Sequence, residues 1–330
     1  MDALPAWPMF GLIDDARPAL EAARVAGAPA ALATIVKLDG GGPRPVGTQM
    51  VIGAAGLSGF LSGGCLEADV AGHARAVLAT GEPRRLVYGE GSPWPDIRLL
   101  CGARIEVLLE RIAPDDAAVA RLIELGRARR PAVWVSDGRR RGCGEVSSDD
   151  QDWPGCFRRR FDPKPRLIVL GADPTALAIA SLGAQSGYET TLARPKGPDA
   201  PPPLTDVAYS RESPAAALNA VGLDPWTAVA VATHEAELDL EALVAALPSD
   251  AFYVGALGAR RRTPERRAAL IAAGVSMQDI GRLHTPIGLD LGGKAPWEVA
   301  VAVLAQITGE RVARAAEPVE QPADSMNLLS

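Results

Sequence analysis

The chain has 330 residues, 48% hydrophobic and 22% charged, which suits two globular domains with separate cores. Its formal net charge of −6 argues against nucleic acid or an anionic membrane as a partner. No apolar run approaches the roughly 18 residues of a membrane span. The start of the chain lacks a basic signal-peptide region, and the four cysteines form no CxxC pair. We therefore expect a cytoplasmic protein with reduced thiols.

The first 150 residues mix helices and strands in the pattern of an α+β domain. Apolar residues at helical spacing and terminal glycines predict helices over 12–25, 66–80 and 115–129. Short runs rich in branched residues predict strands over 31–37, 49–52, 57–61, 84–88, 105–110 and 131–136.

Residues 151–165 change character, with a Trp-Pro pair, arginines at 158–160 and two further prolines. This composition predicts a linker. Beyond it, apolar strands alternate with helices, which predicts a doubly wound, Rossmann-like parallel sheet over 166–314. The last helix is predicted from Pro296 to a stop at Gly309. A polar tail at 315–330 is expected to be disordered. The fold class is therefore α/β, with an α+β domain over 1–150 followed by a Rossmann-like domain.

A Gly-Gly-Cys segment precedes the second predicted helix. Gly63 and Gly64 let the backbone bend sharply, and Cys65 falls at the first helical turn, where the helix dipole lowers a thiol pKa. A thiolate there suits a nucleophile, a soft-metal ligand or a sulfur carrier. Glu67 and Asp69 oppose ionisation, and a small buried cysteine beside a turn is the alternative interpretation. The residues alone leave both open.

Residues 40–47 form a second Gly-rich loop. Gly42 is one of its three consecutive glycines, and Arg44 offers a guanidinium fork suited to phosphate or carboxylate. A simple turn is the alternative.

Residues 171–176 occupy the position of a dinucleotide-binding turn, between a predicted strand and helix. Asp173 replaces the middle glycine and puts a negative charge where a pyrophosphate would approach. The second strand ends at Ala193, where an acidic residue usually binds ribose. NAD(P) binding is therefore not expected.

Further candidates follow the later strands, at the sheet edge where ligands bind in open parallel sheets. His234 is a candidate base or ligand, or a loop residue that caps a helix. The candidates for anion binding, by glycine backbone or by side-chain cation, are Gly255, Gly258, Arg260, Arg261, Gly292, Gly293 and Lys294.

These segments together resemble the XdhC/CoxI family over most of the chain. The N-terminal half has a GxPRPxG loop at 41–47, SGGCLE at 62–67 and a CGG-like step at 101–103. The C-terminal half has THE at 233–235, YVGALGARR at 253–261 and a PIGLDLG to PWEVA stretch at 286–300. Departures from the family pattern are Asp173, Ala193, Ala259 and Trp297.

The resemblance implies a chaperone rather than a catalyst. Such proteins bind molybdenum cofactor, a pterin dithiolene with a phosphate, in mononucleotide or dinucleotide form. They insert it into xanthine dehydrogenase, CO dehydrogenase or aldehyde oxidoreductase. Cys65 would contact the metal or its sulfido group, and Arg44 with Arg260, Arg261 or Lys294 would contact phosphate. The implied partners are the apo large subunit of a molybdenum hydroxylase, a cysteine desulfurase and a second copy of the chain.

Two alternatives remain open from the sequence. One is an NAD(P)-dependent oxidoreductase, which Asp173 and Ala193 disfavour. The other is an interaction module in which the glycines only form turns.

Overall fold

The computed structural model describes residues 5–42, 44–62, 64, 66–89, 92, 102, 104–146 and 152–315. The chain divides into two compact units, Met1–Pro163 and Lys164–Ser330. Each unit buries its own hydrophobic core. Across the described ranges, no helix is both long and apolar enough to cross a membrane.

The N-terminal unit is built on a five-stranded antiparallel sheet. Its strands are β1 (Ala30–Asp39), β2 (Gln49–Gly53), β3 (Gly56–Gly59), β4 (Arg84–Tyr88) and β5 (Arg104–Ile112), in the order β3-β2-β1-β5-β4. Its helices are α1 (Arg17–Val25), α2 (Glu67–Thr80) and α3 (Ala117–Arg127). Buried residues at helical spacing, among them Val70, Ala74 and Val77, place α2 against one face of the sheet.

A second sheet in this unit shares the core on the other face. Strands β6 (Ala132–Ser136), β7 (Arg141–Glu145) and β8 (Phe157–Phe161) pair antiparallel in the order β7-β6-β8. Trp134 of this sheet belongs to the same buried cluster as Leu32 of β1 and Leu122 of α3. The N-terminal unit is thus α+β.

Strand β8 lies inside the interval 151–165, which the sequence predicts as a linker, so that prediction is wrong for this segment. The strand is not recognised from the sequence, because three consecutive arginines interrupt the alternation of apolar and polar residues that is typical of a strand. Arg158 and Arg160 are exposed and pair with Asp152 and Asp162, whereas Phe161 is buried. Pairing along the whole of β6 then holds the strand in the sheet.

The C-terminal unit is a six-stranded parallel sheet. Its strands are β9 (Arg166–Gly171), β10 (Glu189–Ala193), β11 (Val207–Ser210), β12 (Thr227–Ala232), β13 (Tyr253–Ala256) and β14 (Leu283–His284). Their order, β11-β10-β9-β12-β13-β14, is that of a Rossmann fold, with the switch point between β9 and β12. The predicted α/β class is confirmed.

Helices cover both faces of this sheet, as a parallel sheet requires. They are α4 (Pro174–Gln185), α5 (Pro214–Val221), α6 (Ala236–Ala246), α7 (Thr263–Ala272), α8 (Met277–Gly281) and α9 (Pro296–Ala315). Buried residues of α4 and α9 form one core cluster. Those of α5, α6, α7 and α8 form the other.

Helix α9 does not stop at Gly309 as the sequence predicts, but continues to Ala315. A glycine inside a helix costs about 1 kcal/mol, and the packing of Ala300, Val303 and Ile307 into the core supports the helix around it. The predicted tail beyond Ala315 lies outside the described residues.

Candidate functional site

The segment before α2 is organised around the carboxylate of Glu67. This side chain is fully buried and accepts hydrogen bonds from Leu61 N (2.9 Å), Ser62 N (2.7 Å) and Ser62 Oγ (2.9 Å). A further, longer bond comes from Leu66 N at 3.2 Å. One carboxylate therefore ties together both ends of the Gly-Gly-Cys segment.

Gly64 lies within this segment, exposed and with φ +95°, a conformation that favours glycine. The other two candidates here, Gly63 and Cys65, lie outside the described residues. The sequence treats Glu67 only as an opponent of a thiolate. It misses that this carboxylate is a buried acceptor, although the Ser-x-x-x-x-Glu spacing would have suggested a carboxylate near loop amides.

The loop over residues 41–47 lies against strands β1 and β8. Gly42 packs against Leu38, and a Cβ there would lie 2.5 Å from Leu38 Cδ1, so that side chain would have to move. Arg44 pairs with Asp14 and lines an open cavity of about 380 Å³ that the arginines of β8 also line. The structure thus places Arg44 in a basic environment that the sequence does not predict.

Asp173 occupies the dinucleotide turn at the switch point of the C-terminal sheet. It is the N-cap of α4, and its Oδ1 accepts from Ala176 N at 2.8 Å. Pro174 follows and has no N–H to offer. The other carboxylate oxygen lies 2.9 Å from His234 Nε2, which donates to it. The backbone donors that usually bind a pyrophosphate are therefore reduced or already occupied.

Burial raises the pKa of the Asp173 carboxyl, but hydrogen bonds from Ala176 N and from His234 outweigh it, and the net pKa lies below its usual value. Asp173 is thus a carboxylate at neutral pH, which repels a phosphate. The end of the neighbouring strand β10 is also unsuited to a dinucleotide, because Ala193 is fully buried in the core and has no acceptor for a ribose.

His234 follows β12 with φ +63°, an uncommon conformation for a residue with a side chain. Its ring is 63% exposed. It contributes no side-chain cap to α6, whose N-cap is Glu235. Of the two interpretations that the sequence offers, the capping one is wrong, and His234 is instead a hydrogen-bond partner of Asp173.

The glycines after β12 serve packing more than ligand approach. Gly255 lies inside β13, where a Cβ would come 2.6 Å from Ile287 Cγ1, so the core fills the space predicted for an anion. Gly258 adopts φ +148°, and a Cβ there would lie 3.1 Å from the Arg266 guanidinium. Arg260 is exposed but paired with Asp290 at 2.7 Å, while Arg261 is exposed.

Behind these residues lies a half-buried polar network that the sequence misses. Arg266 binds Asp239 Oδ2 (3.0 Å), Thr285 Oγ1 (2.8 Å) and the Leu257 carbonyl (2.7 Å). Thr233 Oγ1 donates to Asp239 Oδ1 at 2.6 Å. The network ties together the carboxyl ends of β12, β13 and β14, so Thr233 of the THE triplet has a structural role.

The backbone amides of the Gly-rich segment before α9 bind a side chain of that helix. The backbone N–H groups of Lys294 and Ala295 both donate to Glu298 Oε2, at 2.9 and 3.0 Å. A Cβ on Gly293 would clash with Glu298, and Gly292 adopts φ +79°. The predicted anion site at these amides is therefore occupied by Glu298, whose pKa these bonds lower, and only the exposed Lys294 side chain remains.

The structure gathers the candidates into two groups. Of the described candidates, Gly42, Arg44 and Gly64 belong to the N-terminal unit, and those from His234 onward lie at or near the carboxyl edge of the C-terminal sheet. Within the described parts of the chain, no three His, Cys, Asp or Glu side chains cluster as a metal site requires. Cys143 and Cys156 are both free thiols.

These features define a two-domain protein with a Rossmann-like C-terminal half whose nucleotide turn is occupied by its own side chains. Residues 23–89 match the model of the XdhC and CoxI family, and residues 167–307 match that of the XdhC Rossmann domain. The chain is 32% identical to "Molybdenum cofactor insertion chaperone PaoD" of Escherichia coli (strain K12), covering 91% of this chain and 90% of the relative. The chain belongs to the XdhC and CoxI family.

Two further similarities extend over nearly the whole chain. A probable xanthine dehydrogenase subunit of Bacillus subtilis (strain 168) is 26% identical, covering 86% of this chain and 94% of the relative. The crystal structure of a xanthine dehydrogenase from Bacillus halodurans superposes with a TM-score of 0.72 at 25% identity, covering 92% of this chain and 98% of that one. The expected family is confirmed.

Proposed function

We propose that this chain binds molybdenum cofactor as cargo and inserts it into a molybdenum hydroxylase of the xanthine dehydrogenase, CO dehydrogenase or aldehyde oxidoreductase type. One observation carries this proposal. The carboxylate of Glu67 binds both ends of the Gly-Gly-Cys segment, and Gly64 within it is exposed. A segment held at both ends, with a thiol in its sequence, suits a soft metal and its sulfido group.

The residues proposed to hold the cargo divide by chemistry. Cys65 would contact the metal, with Gly63 and Gly64 allowing close approach. Gly42 and Arg44 would hold the phosphate, and the exposed side chains of Arg261 and Lys294 remain candidates for it in the C-terminal unit. His234 is left out, because it already binds Asp173.

The proposed partners follow from this chemistry. The apo large subunit of the hydroxylase receives the cargo, and a cysteine desulfurase supplies the sulfur that a sulfido ligand requires. A second copy of the chain is a further proposed partner. Reduced thiols at Cys143 and Cys156 support a cytoplasmic setting.

The test is retention of the cargo. The chain is produced in cells that make molybdenum cofactor and purified without oxygen, and its molybdenum and pterin contents are measured. Near-equal amounts of both, and activation of an apo-hydroxylase by the purified protein, are the expected result. Absence of both, in protein that still binds the hydroxylase, would favour the interaction module instead.

A further inference from the structure

We infer that Arg44 and Arg159 form a binding site for a phosphate-class oxyanion in the N-terminal unit. The site itself requires only an oxyanion. Assigning that oxyanion to the phosphate of molybdenum cofactor rests on the proposed function. Arg159 lies in the segment predicted as a linker, which is why the sequence does not connect it with Arg44.

The charged residues that line the cavity between the 41–47 loop and β8 are mostly arginines. Its volume is about 380 Å³, and four arginines line it with a single aspartate: Arg44, Arg158, Arg159, Arg160 and Asp14. Arg44, Arg158 and Arg160 each pair with an aspartate, so the excess of positive charge at the cavity comes from Arg159. A concave surface with one sign of charge concentrates ions of the opposite sign.

Two guanidinium nitrogens at this cavity are buried without a hydrogen-bond acceptor. They are Arg44 Nε and Arg159 NH1, and no described residue accepts from either. The rest of Arg44 pairs with Asp14. Buried charged donors are rarely left unsatisfied in folded proteins. Neither nitrogen is accessible to solvent, so an oxyanion in the cavity supplies these acceptors when the two side chains rotate toward it.

Arg159 differs from its two neighbours in how it is held. Arg158 and Arg160 each pair with an aspartate at 2.7 Å. The Arg159 guanidinium instead stacks over the Phe161 ring, 4.3 Å from the centroid. Its aliphatic part packs by Gly47, where a Cβ would lie 4.0 Å away from Arg159 Cδ. The 41–47 loop and Arg159 thus lie beside each other at the same cavity.

The energetics of Arg159 favour a bound anion. Burial, the largest cause, lowers its pKa to about 10, with Arg17 and Arg44 acting in the same direction and Asp14 and Asp15 against it. The group stays protonated at neutral pH, but its charge is poorly solvated. A phosphate dianion suits the site better than a carboxylate, because it has three oxygens to share between two guanidinium groups.

The test is calorimetric titration of the full chain with inorganic phosphate at low ionic strength. The variants are Arg159→Met and Arg44→Met, and the control is Arg139→Met, which removes the same charge at an exposed pair with Glu82 outside the cavity. We expect the parent and the control to bind alike, and both cavity variants to bind about tenfold more weakly. Arg159→Lys keeps the positive charge but loses the forked guanidinium, so its affinity for phosphate should fall between those of the parent and of Arg159→Met.

Thermal unfolding confirms that each variant is folded. Should Arg159→Met fail to fold, Arg44→Met carries the test, because its side chain is 30% exposed. No phosphate binding by the parent, or the same loss in Arg139→Met as in the cavity variants, overturns the site.

Measuring the molybdopterin that each protein retains tests the assignment of the oxyanion separately from the proposed function. If the parent retains molybdopterin and Arg159→Met retains as much, the phosphate of the cofactor does not bind here and the assignment is wrong, while the proposed function stands. If the parent retains none but phosphate binding depends on Arg44 and Arg159, the site stands and the proposed function fails.

Discussion

His234 Nε2 lies 2.9 Å from Asp173 Oδ2, and this hydrogen bond spans the switch point between β12 and β9. The same carboxylate caps α4 through Ala176 N. One side chain therefore occupies the helix N-terminus where Rossmann folds bind a pyrophosphate. The fold is that of a nucleotide-binding domain, but its usual ligand position is taken by the pair.

We expect NAD(H) and NADP(H) to bind weakly or not at all. The ionised Asp173 faces the pyrophosphate position, and Ala193 offers ribose no acceptor. Isothermal calorimetry should give a flat titration. A dissociation constant in the low micromolar range, about −8 kcal/mol, would refute this and revive the oxidoreductase alternative.

Replacing Asp173 with Ala should destabilise the C-terminal unit by about 1 kcal/mol at pH 7, because it removes the helix cap and the His234 bond. The pKa of Asp173 is lower in the folded protein. Its charge therefore stabilises the fold above its usual pKa of about 3.9, and this contribution is lost as pH falls through the folded pKa.

Urea unfolding at several pH values measures this effect. The difference between parent and Asp173→Ala should narrow below about pH 4, whereas Asp173→Asn should keep most of the cap. A difference that stays constant from pH 7 to pH 3 would show that the charge contributes nothing.

Glu67→Gln should cost about 3 kcal/mol of unfolding free energy. The carboxylate now accepts hydrogen bonds from the backbone N–H groups of Leu61, Ser62 and Leu66. The amide nitrogen of glutamine is itself a donor and cannot accept them. The matched control is Asp69→Asn on the same helix, whose half-buried carboxylate accepts from Tyr88 Oη. Chemical denaturation should show a smaller loss for the control, and equal losses would contradict the role given to Glu67.

The sequence predicts the C-terminal sheet well because its strands are continuous apolar runs. Arg166–Gly171, for example, is buried on both faces. Prediction from the sequence fails where side chains form hydrogen bonds or ion pairs with residues far away in the chain. Nothing local in the sequence indicates that Arg266 bonds Asp239, 27 residues away in the chain. Strand β8 is missed for a related reason, since its central arginine is buried only through tertiary contacts.

Arg141→Met should destabilise the N-terminal unit by about 3 kcal/mol. Arg141 Nε donates to the buried Glu110 at 3.0 Å, and its removal leaves that carboxylate without a cation. Burial, the largest cause, already raises the pKa of Glu110. The loss of stability in the variant should shrink on acidification. A carboxyl whose folded pKa is raised destabilises the fold only as pH rises through that range and the buried charge forms.

Unfolding of this variant at pH 7 and pH 5 checks the direction. Arg160→Met, which removes an exposed pair with Asp162, should cost less than about 1 kcal/mol at either pH. The assignment to Glu110 would be contradicted if the stability difference between the parent and Arg141→Met were larger at pH 5 than at pH 7.

The proposed function depends most on the thiol of Cys65 as the group that holds the cargo. Serine is nearly isosteric and is tolerated at a helix start, but its hydroxyl is a poor ligand for a soft metal. Cys143→Ser is the control, because burial, partly offset by Arg121, raises the pKa of Cys143 to about 12 and makes it a poor thiolate. The measurement is the molybdopterin content of parent and variants purified without oxygen from cells that make the cofactor. We predict that Cys65→Ser folds but retains little molybdopterin, while Cys143→Ser matches the parent; full retention by Cys65→Ser would contradict the account.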